Sequence, residues 1–309
     1  KIINYLDPKI IKQKSDITIS AIPGIAGLQP TMLLTKLSKK ILIANKEAVI
    51  CGWHLIKNIA IKNKTKIIPV DSEHFSILKL IENHNYNEIK KIFITASGGP
   101  FLNFNSSKLK RIKPKDALKH PKWKMGKKIT IDSSTLMNKI FELIEAQKLF
   151  NLNESQTDIL IHPESLVHAI IVLKNGLVKF IYHETSMIIP LANAIFDGDL
   201  NIERFYKSKM KENKNDYLKN LTFKKVDQKI FPSIKLKKRL NEYPSTAIII
   251  NACNEILVEQ FLQKNIPFLS IYKIIMNILN DKNYKKYAIR RPLNIKQILE
   301  INNWAKTTT

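Results

Sequence analysis

Through the first half of the chain, short apolar runs alternate with longer stretches of helical period. Ile17–Ile22 is the first run, followed by Pro23-Gly24-Ile25-Ala26-Gly27 and a helical stretch through about Leu37. Lys40–Ala44, Ile67–Val70 and Ile92–Thr95 repeat the run, with helical stretches from Asn45 to about Lys62 and from Ser72 to about Asn83 between them. Runs this short, spaced by helices this long, predict βαβ units and a parallel sheet. The pattern lapses between Gly98 and Lys128, a polar, basic stretch holding Pro100, Pro114 and Pro121. A connection of that length inside a compact domain is a functional lid or a disordered segment, and Trp123 and Met125 favour a lid. Ile129–Ile131 predicts another strand, and Ser133 or Ser134 the cap of a helix reaching Phe150.

The later half changes character. Ile159–His162 predicts a strand, and Ile170–Leu173 with Leu177–Tyr182 a hairpin turning at Lys174-Asn175-Gly176. An antiparallel pair after parallel units implies a mixed sheet. Residues 197–240 are charged and irregular, as in a linker, and helical period dominates from about Ser245 to Ala305.

The formal charge of +25 raises nucleic-acid binding as a possibility, but 46 of the 51 basic residues are Lys and five are Arg. Readers of bases and phosphates favour the Arg fork, so the charge reflects a Lys-, Ile- and Asn-rich composition instead. Two stretches remain locally basic: residues 108–128 hold ten cations against one acid, and 207–239 hold twelve against three. The first lies among the candidate site motifs, where positive potential attracts an anionic substrate. The second reads as a solvated linker. No apolar run is long enough to span a bilayer. Cys51 and Cys253 are too few for a disulfide framework.

Three junctions carry the candidate chemistry: Pro69-Val70-Asp71-Ser72-Glu73-His74, Ala96-Ser97-Gly98-Gly99-Pro100, and Asp132-Ser133-Ser134-Thr135 running on to Glu142. Ligands of open α/β sheets bind beyond the carboxyl ends of strands, so three such junctions predict one shared site. Asp71 and Glu73, two apart at a strand end, share a face in extended geometry. Glu142 lies one helical turn beyond Asn138. Three carboxylates suit Mg²⁺ or Mn²⁺. The alternative for Asp-x-Glu is a helix cap. Ser97 before two glycines, Ser133 at a helix start, and Asn138 and Lys139 after it offer donors for a phosphate. Asn45-Lys46-Glu47 follows the second strand, with Lys46 placed for substrate and its neighbours for a cofactor. These features predict a metal-dependent enzyme acting on a phosphorylated small molecule.

Ala44-Asn45-Lys46-Glu47, Val70-Asp71-Ser72-Glu73-His74, Ser97-Gly98-Gly99-Pro100-Phe101, His120-Pro121-Lys122-Trp123-Lys124-Met125-Gly126 and Met137-Asn138-Lys139 with Glu142 together resemble the 1-deoxy-D-xylulose 5-phosphate reductoisomerase family. Ile161-His162-Pro163-Glu164-Ser165 and Asn251-Ala252-Cys253-Asn254-Glu255 extend the likeness over nearly the whole chain. The resemblance implies an NADPH-dependent homodimer of non-mevalonate isoprenoid synthesis, cytoplasmic in a bacterium or plastid-borne in a eukaryote, with no nucleic-acid or membrane partner. It implies an α/β fold in which residues 1–66 are part of a Rossmann-like cofactor domain. Residues 67–196 would be a catalytic domain with a mixed sheet and a lid at about 99–128, 197–240 a linker, and 241–309 a helical domain.

By the same resemblance, Asp71, Glu73 and Glu142 hold Mg²⁺ or Mn²⁺, with Co²⁺ also accepted. Lys46, Ser72, Glu73, Ser97, His120, Trp123, Ser133, Asn138, Lys139 and Glu142 meet the sugar phosphate substrate. Lys46, Glu73, Glu142 and His120 are the catalytic set. Asn45, Glu47, Gly126 and Met187 meet NADPH. The family's opening strand and Gly-rich turn, which cradle the NADPH phosphates, have no counterpart here, and the sequence begins at Lys1. The expectation is therefore an N-terminally incomplete chain, and the resemblance implies that the Gly-rich turn lies about 70 residues before Lys1, a distance typical of two βα units. As it stands it would bind metal and phosphonate analogues better than NADPH and lack activity.

Overall fold

The structure is a computed structural model that describes residues 13–123, 125–197, 200–202 and 220–309. β1 (Ser15–Ser20), β2 (Ser38–Ile43) and β3 (Lys66–Pro69) form a parallel sheet in that order, with Leu42 opposite both Ile19 and Ile68. The crossovers are α1 (Leu28–Lys36) and α2 (Lys46–Asn63). Ile41, Leu42 and Ile43 are fully buried, as a central strand covered on both faces requires. α2 begins where Asn45, in extended conformation, accepts from the Ala48 amide at 2.7 Å, and it ends on Lys64 in the left-handed region at φ 54°. Because β3 pairs with β2, the boundary expected after residue 66 falls inside a strand of this first sheet. Residues 1–12 of the expected cofactor domain lie outside the described residues.

α3 (Ser72–Ile81) leads to the second sheet. Its strands β4 (Ile89–Ala96), β5 (Thr157–Ile161), β6 (Val167–Leu173), β7 (Val178–Tyr182) and β8 (Lys224–Lys225) lie in the order β7-β6-β4-β5-β8. β4 and β5 are parallel and the other pairs antiparallel, so the sheet is mixed and the β6–β7 hairpin forms as expected. Gly176 supplies the turn's positive φ of 88°.

Three expectations are corrected. Ile129–Ile131 is not a strand: it lies within the helix α6 (Lys127–Ser134). Thr130, Ile131 and Ser134 face inward at helical spacing, and Thr130 Oγ1 donates to the Gly126 carbonyl at 2.9 Å, a local bond that β geometry would not allow. Ser133 therefore stands in the last turn of α6 rather than at a helix start. Leu136, left-handed at φ 67°, breaks the chain before α7 (Met137–Leu149).

The lid is also shorter than 99–128. Short helices α4 (Ser106–Leu109) and α5 (Pro114–Ala117) seat Leu109, Ile112 and Ala117 in the core, and Phe101 stacks edge-on to Phe268 at 5.2 Å. Each fully buried side chain of that size contributes roughly 1.5–3 kcal/mol, which leaves residues 119–123 and 125–126, among those described, as the loop beside the site. The expected linker is likewise partly packed. Residues 203–219 lie outside the described residues, but Phe231, Leu236 and Leu240 are buried, around a 3-10 segment at Pro232–Arg239.

After α8 (Ile188–Phe196), the remaining helices are α9 (Thr246–Leu262), α10 (Ser270–Ile278), α11 (Tyr284–Ala288) and α12 (Ile295–Thr308). One apolar cluster runs from Leu28 through β4, α7 and α9 to Ala305, so this helical region shares its core with the sheets.

Candidate active site

The strand-to-helix junction after β3 does not keep Asp71 and Glu73 extended. The strand ends at Pro69 and Glu73 occupies the first turn of α3. Asp71 stands at the N-cap position yet makes no capping bond; its carboxylate instead meets Lys46 Nζ at 2.8 Å. Glu142, 1% exposed on α7, closes the group. Carboxylate oxygens of Asp71, Glu73 and Glu142 lie within 4.8 Å of one another.

Two ammonium groups thread this triad. Lys46 Nζ donates to Asn138 Oδ1 at 2.8 Å and reaches Glu142 Oε1 at 3.3 Å. Lys139 Nζ bonds Glu73 and lies 2.6 Å from Glu142 Oε2. Ser72 Oγ donates to Glu73 at 2.6 Å, and the Asn138 amide donates to Glu142. His74 Nε2 donates to the Glu142 carbonyl at 2.9 Å, tying α3 to α7 so that the two ligand-bearing helices keep their register. Three acids against two cations leave one negative charge in a nearly dry site. That donor set fits a divalent ion of hard character.

The ionisation states follow. Burial, then the Glu73 charge, outweighs Lys139 and Lys46 and pushes the Glu142 carboxyl up to about 7. Burial also opposes ionisation of Glu73, but Lys139 and the hydrogen bonds around it win and hold that carboxyl well below its usual range. Burial alone would depress Lys46; Asp71, Glu142 and Glu145 instead raise it well above the usual lysine value.

Opposite the acids, Gly98 and Gly99 adopt φ of 83° and 57°, and a Cβ at Gly98 would meet Leu102 Cδ1 at 2.7 Å. This turn lets the Gly99 amide donate to Ser97 Oγ at 3.1 Å. Ser97 Oγ also lies 3.2 Å from His120 Nε2. His120 Nδ1 accepts from the Lys122 and Trp123 amides at 3.2 and 2.9 Å, so the ring proton sits on Nε2 and points into the site. Burial, then Lys139, lowers the His120 pKa to about 4, so this imidazole is a neutral donor at physiological pH.

Lys46, Asp71, Ser72, Glu73, Ser97, His120, Trp123, Ser133, Asn138, Lys139, Glu142 and Met187 all line one cavity of about 250 Å³. Asn45, Glu47 and Gly126 are not among its lining residues. Asn45 caps α2 and ties down the loop after β1 through the Gly24 carbonyl, Glu47 faces Lys128 at 3.4 Å, and Gly126 opens α6. The sequence reading passed over Thr95, Ile129, Leu136, Ser165 and His168, which also line the cavity. Ser165 takes φ 58° with its hydroxyl buried and unpartnered, and His168 stacks on His183 with ring centres 3.8 Å apart. The run His162-Pro163-Glu164-Ser165 was the available signal; nothing in its spacing shows that β6 turns it toward the acids.

The sequence matches "1-deoxy-D-xylulose 5-phosphate reductoisomerase" over residues 7–52, the C-terminal domain of that enzyme over 67–150, and "DXP reductoisomerase C-terminal domain" over 184–308. The chain is 48% identical over 292 residues to the 1-deoxy-D-xylulose 5-phosphate reductoisomerase of Pelagibacter ubique, covering 94% of this chain and 74% of that one. It is 37% identical to the corresponding enzyme of Prosthecochloris aestuarii over 295 residues, 95% of this chain and 75% of the relative. Among solved structures, the reductoisomerase of Zymomonas mobilis in complex with NADPH superposes with a TM-score of 0.85 at 30% identity, covering 97% of this chain and 76% of that one. A DOX-P reductoisomerase in complex with NADPH, fosmidomycin and magnesium gives 0.85 at 32% identity, over 94% and 74% of the two chains.

Proposed function

The chain belongs to the 1-deoxy-D-xylulose 5-phosphate reductoisomerase family, and from that premise we propose that the cavity between β3, β4 and α7 is its active site. The reaction is the metal- and NADPH-dependent conversion of 1-deoxy-D-xylulose 5-phosphate to 2-C-methyl-D-erythritol 4-phosphate. The observation that carries the site assignment is the convergence of Asp71, Glu73 and Glu142 within 4.8 Å beside Lys46, Asn138 and Lys139.

Asp71, Glu73 and Glu142 would hold Mg²⁺, with Mn²⁺ or Co²⁺ as alternatives. A divalent ion there supplies Lewis-acid polarisation of the substrate carbonyl and a template for its neighbouring hydroxyl. NADPH supplies the hydride that reduces the rearranged aldehyde. Lys46 and Lys139 serve as counter-ions for the acids and are placed for anionic oxygens of the substrate. Asn138, Ser97 and Ser133 add neutral donors around a phosphate, and Ser72 stands beside Glu73 for a substrate hydroxyl. The neutral His120 donates from Nε2 without adding charge. Trp123, on the shortened lid, covers the cavity and excludes water from reactive intermediates. Met187, 42% exposed at the rim, is assigned to the nicotinamide side, together with Asn45, Glu47 and Gly126.

The working form is read as a homodimer in a bacterial cytoplasm. The relatives named above are bacterial, which supports the bacterial setting; no helix among the described residues is long and apolar enough to cross a membrane. The test is Mg²⁺-dependent binding of fosmidomycin by calorimetry, with NADPH oxidation in the presence of 1-deoxy-D-xylulose 5-phosphate measured once the family's N-terminal segment is restored. Asp71→Asn is expected to abolish both, and retention of either would sink the assignment of that carboxylate.

A further inference from the structure

Lys128, two residues past the lid's outgoing end, bridges two carboxylates from different elements. Its Nζ lies 2.9 Å from Asp132 Oδ2, one turn along α6, and 3.4 Å from Glu47 Oε1 in the first turn of α2. Asp132 is 2% exposed, and its other oxygen accepts from Asn254 Nδ2 of α9 at 2.7 Å. Asn254 is fully buried, and α9 packs against both α2 and α6. The chain of contacts thus runs from the fixed helix α9 through Asp132 and Lys128 to Glu47, which is adjacent to Lys46.

Stability alone does not account for this cluster. Two buried carboxylates sharing one half-buried ammonium leave a net negative charge away from water, and well-packed apolar groups of like volume are often neutral or better in such places. What the cluster does supply is a fixed spacing. α6 carries Ser133 and follows the lid, while the start of α2 carries Lys46, and no covalent link shorter than about 80 residues joins them.

We propose that Lys128 is a positioning residue that ties the start of α6 to the N-terminal turn of α2, so that Lys46 and Ser133 are presented to the substrate in register. This rests on the active-site reading above. Lys128 is not among the residues lining the cavity, so it acts through Glu47 and Asp132.

The test uses the full chain with Mg²⁺ and fosmidomycin as probe, read by calorimetry beside thermal unfolding. Lys128→Met is expected to weaken binding by about twofold to thirtyfold, the range for residues coupled to a site without touching ligand. Lys128→Arg, which keeps the bridge, should recover most of that loss. The pair Lys128→Met with Asp132→Asn relieves the unpaired charge, and should restore thermal stability without restoring affinity. Unchanged affinity in Lys128→Met overturns the proposal. So does an equal loss in the Met and Arg variants that tracks a fallen melting temperature, since that marks packing alone. A wild-type chain that binds no fosmidomycin with Mg²⁺ removes the active-site reading and this proposal together, whereas wild-type binding with an indifferent Lys128→Met removes only the proposal.

Discussion

Glu142→Gln should stabilise the metal-free protein above neutral pH while removing its response to Mg²⁺. Glu142 is 1% exposed, and burial beside the Glu73 charge raises its carboxyl to about 7 from an ordinary 4.5. The unfolded chain therefore loses this proton first. Stability is lost as pH rises from about 4.5 through 7, and the penalty is complete above 7. A gap of that size corresponds to about 3 kcal/mol. Glutamine keeps an acceptor for the Asn138 amide but loses the 2.6 Å contact of Lys139 with Oε2, which costs about 1–2 kcal/mol. The balance at pH 8 is a gain of about 1–2 kcal/mol for the variant, or a melting temperature higher by roughly 2–3 °C for a chain of this length. At pH 5 only the lost contact remains, so the order reverses and the variant melts lower.

With Mg²⁺ at about a hundredfold its dissociation constant, the wild type should gain about 2.7 kcal/mol and the variant little. The assay is thermal unfolding followed by circular dichroism from pH 5 to 8.5, in chelator and then in Mg²⁺. Parallel pH curves for the two proteins in chelator would refute the charge argument. Equal stabilisation by Mg²⁺ would refute the role of Glu142 as a ligand.

Other outcomes are expected elsewhere. Gly98→Ala puts a Cβ 2.7 Å from Leu102 at a φ of 83°, so about 1–3 kcal/mol of stability should be lost. Fosmidomycin affinity should fall with it, because Ser97 stands beside that turn and holds His120 through its hydroxyl; an unchanged melting temperature counts against the strain. Lys64→Gly, at the exposed left-handed end of α2, should raise stability by up to about 1 kcal/mol in denaturant unfolding, and a loss would show that Lys64 has an unseen partner. Trp123→Ala should raise KM for substrate more than it lowers thermal stability, since the side chain lines the cavity from a loop with little buried surface; unaltered steady-state kinetics would contradict the lid.

The alternation of Ile, Leu and Val runs with helical stretches determined the parallel first sheet, the β6–β7 hairpin and the helical C-terminal region, because the periods 2 and 3.6 are properties of the local chain. The chemical types at the three junctions also pointed to one shared site, and the acids, Ser97, Ser133, Asn138 and Lys139 line one cavity. Local pattern failed where the deciding partner is distant. Ile129–Ile131 reads as a strand until no neighbouring strand is there to pair with it, and backbone bonds then close within α6. Residues 99–118 read as mobile until Phe268, from more than 150 positions away, gives Phe101 a partner. Ser165 and His168 could not be placed from their local sequence, since only the turn into β6 brings them to the cavity. The charge state of Glu142 was likewise beyond the sequence, because it depends on burial and on Glu73 and Lys46, groups that only the packing of α2 and α3 against α7 brings within reach.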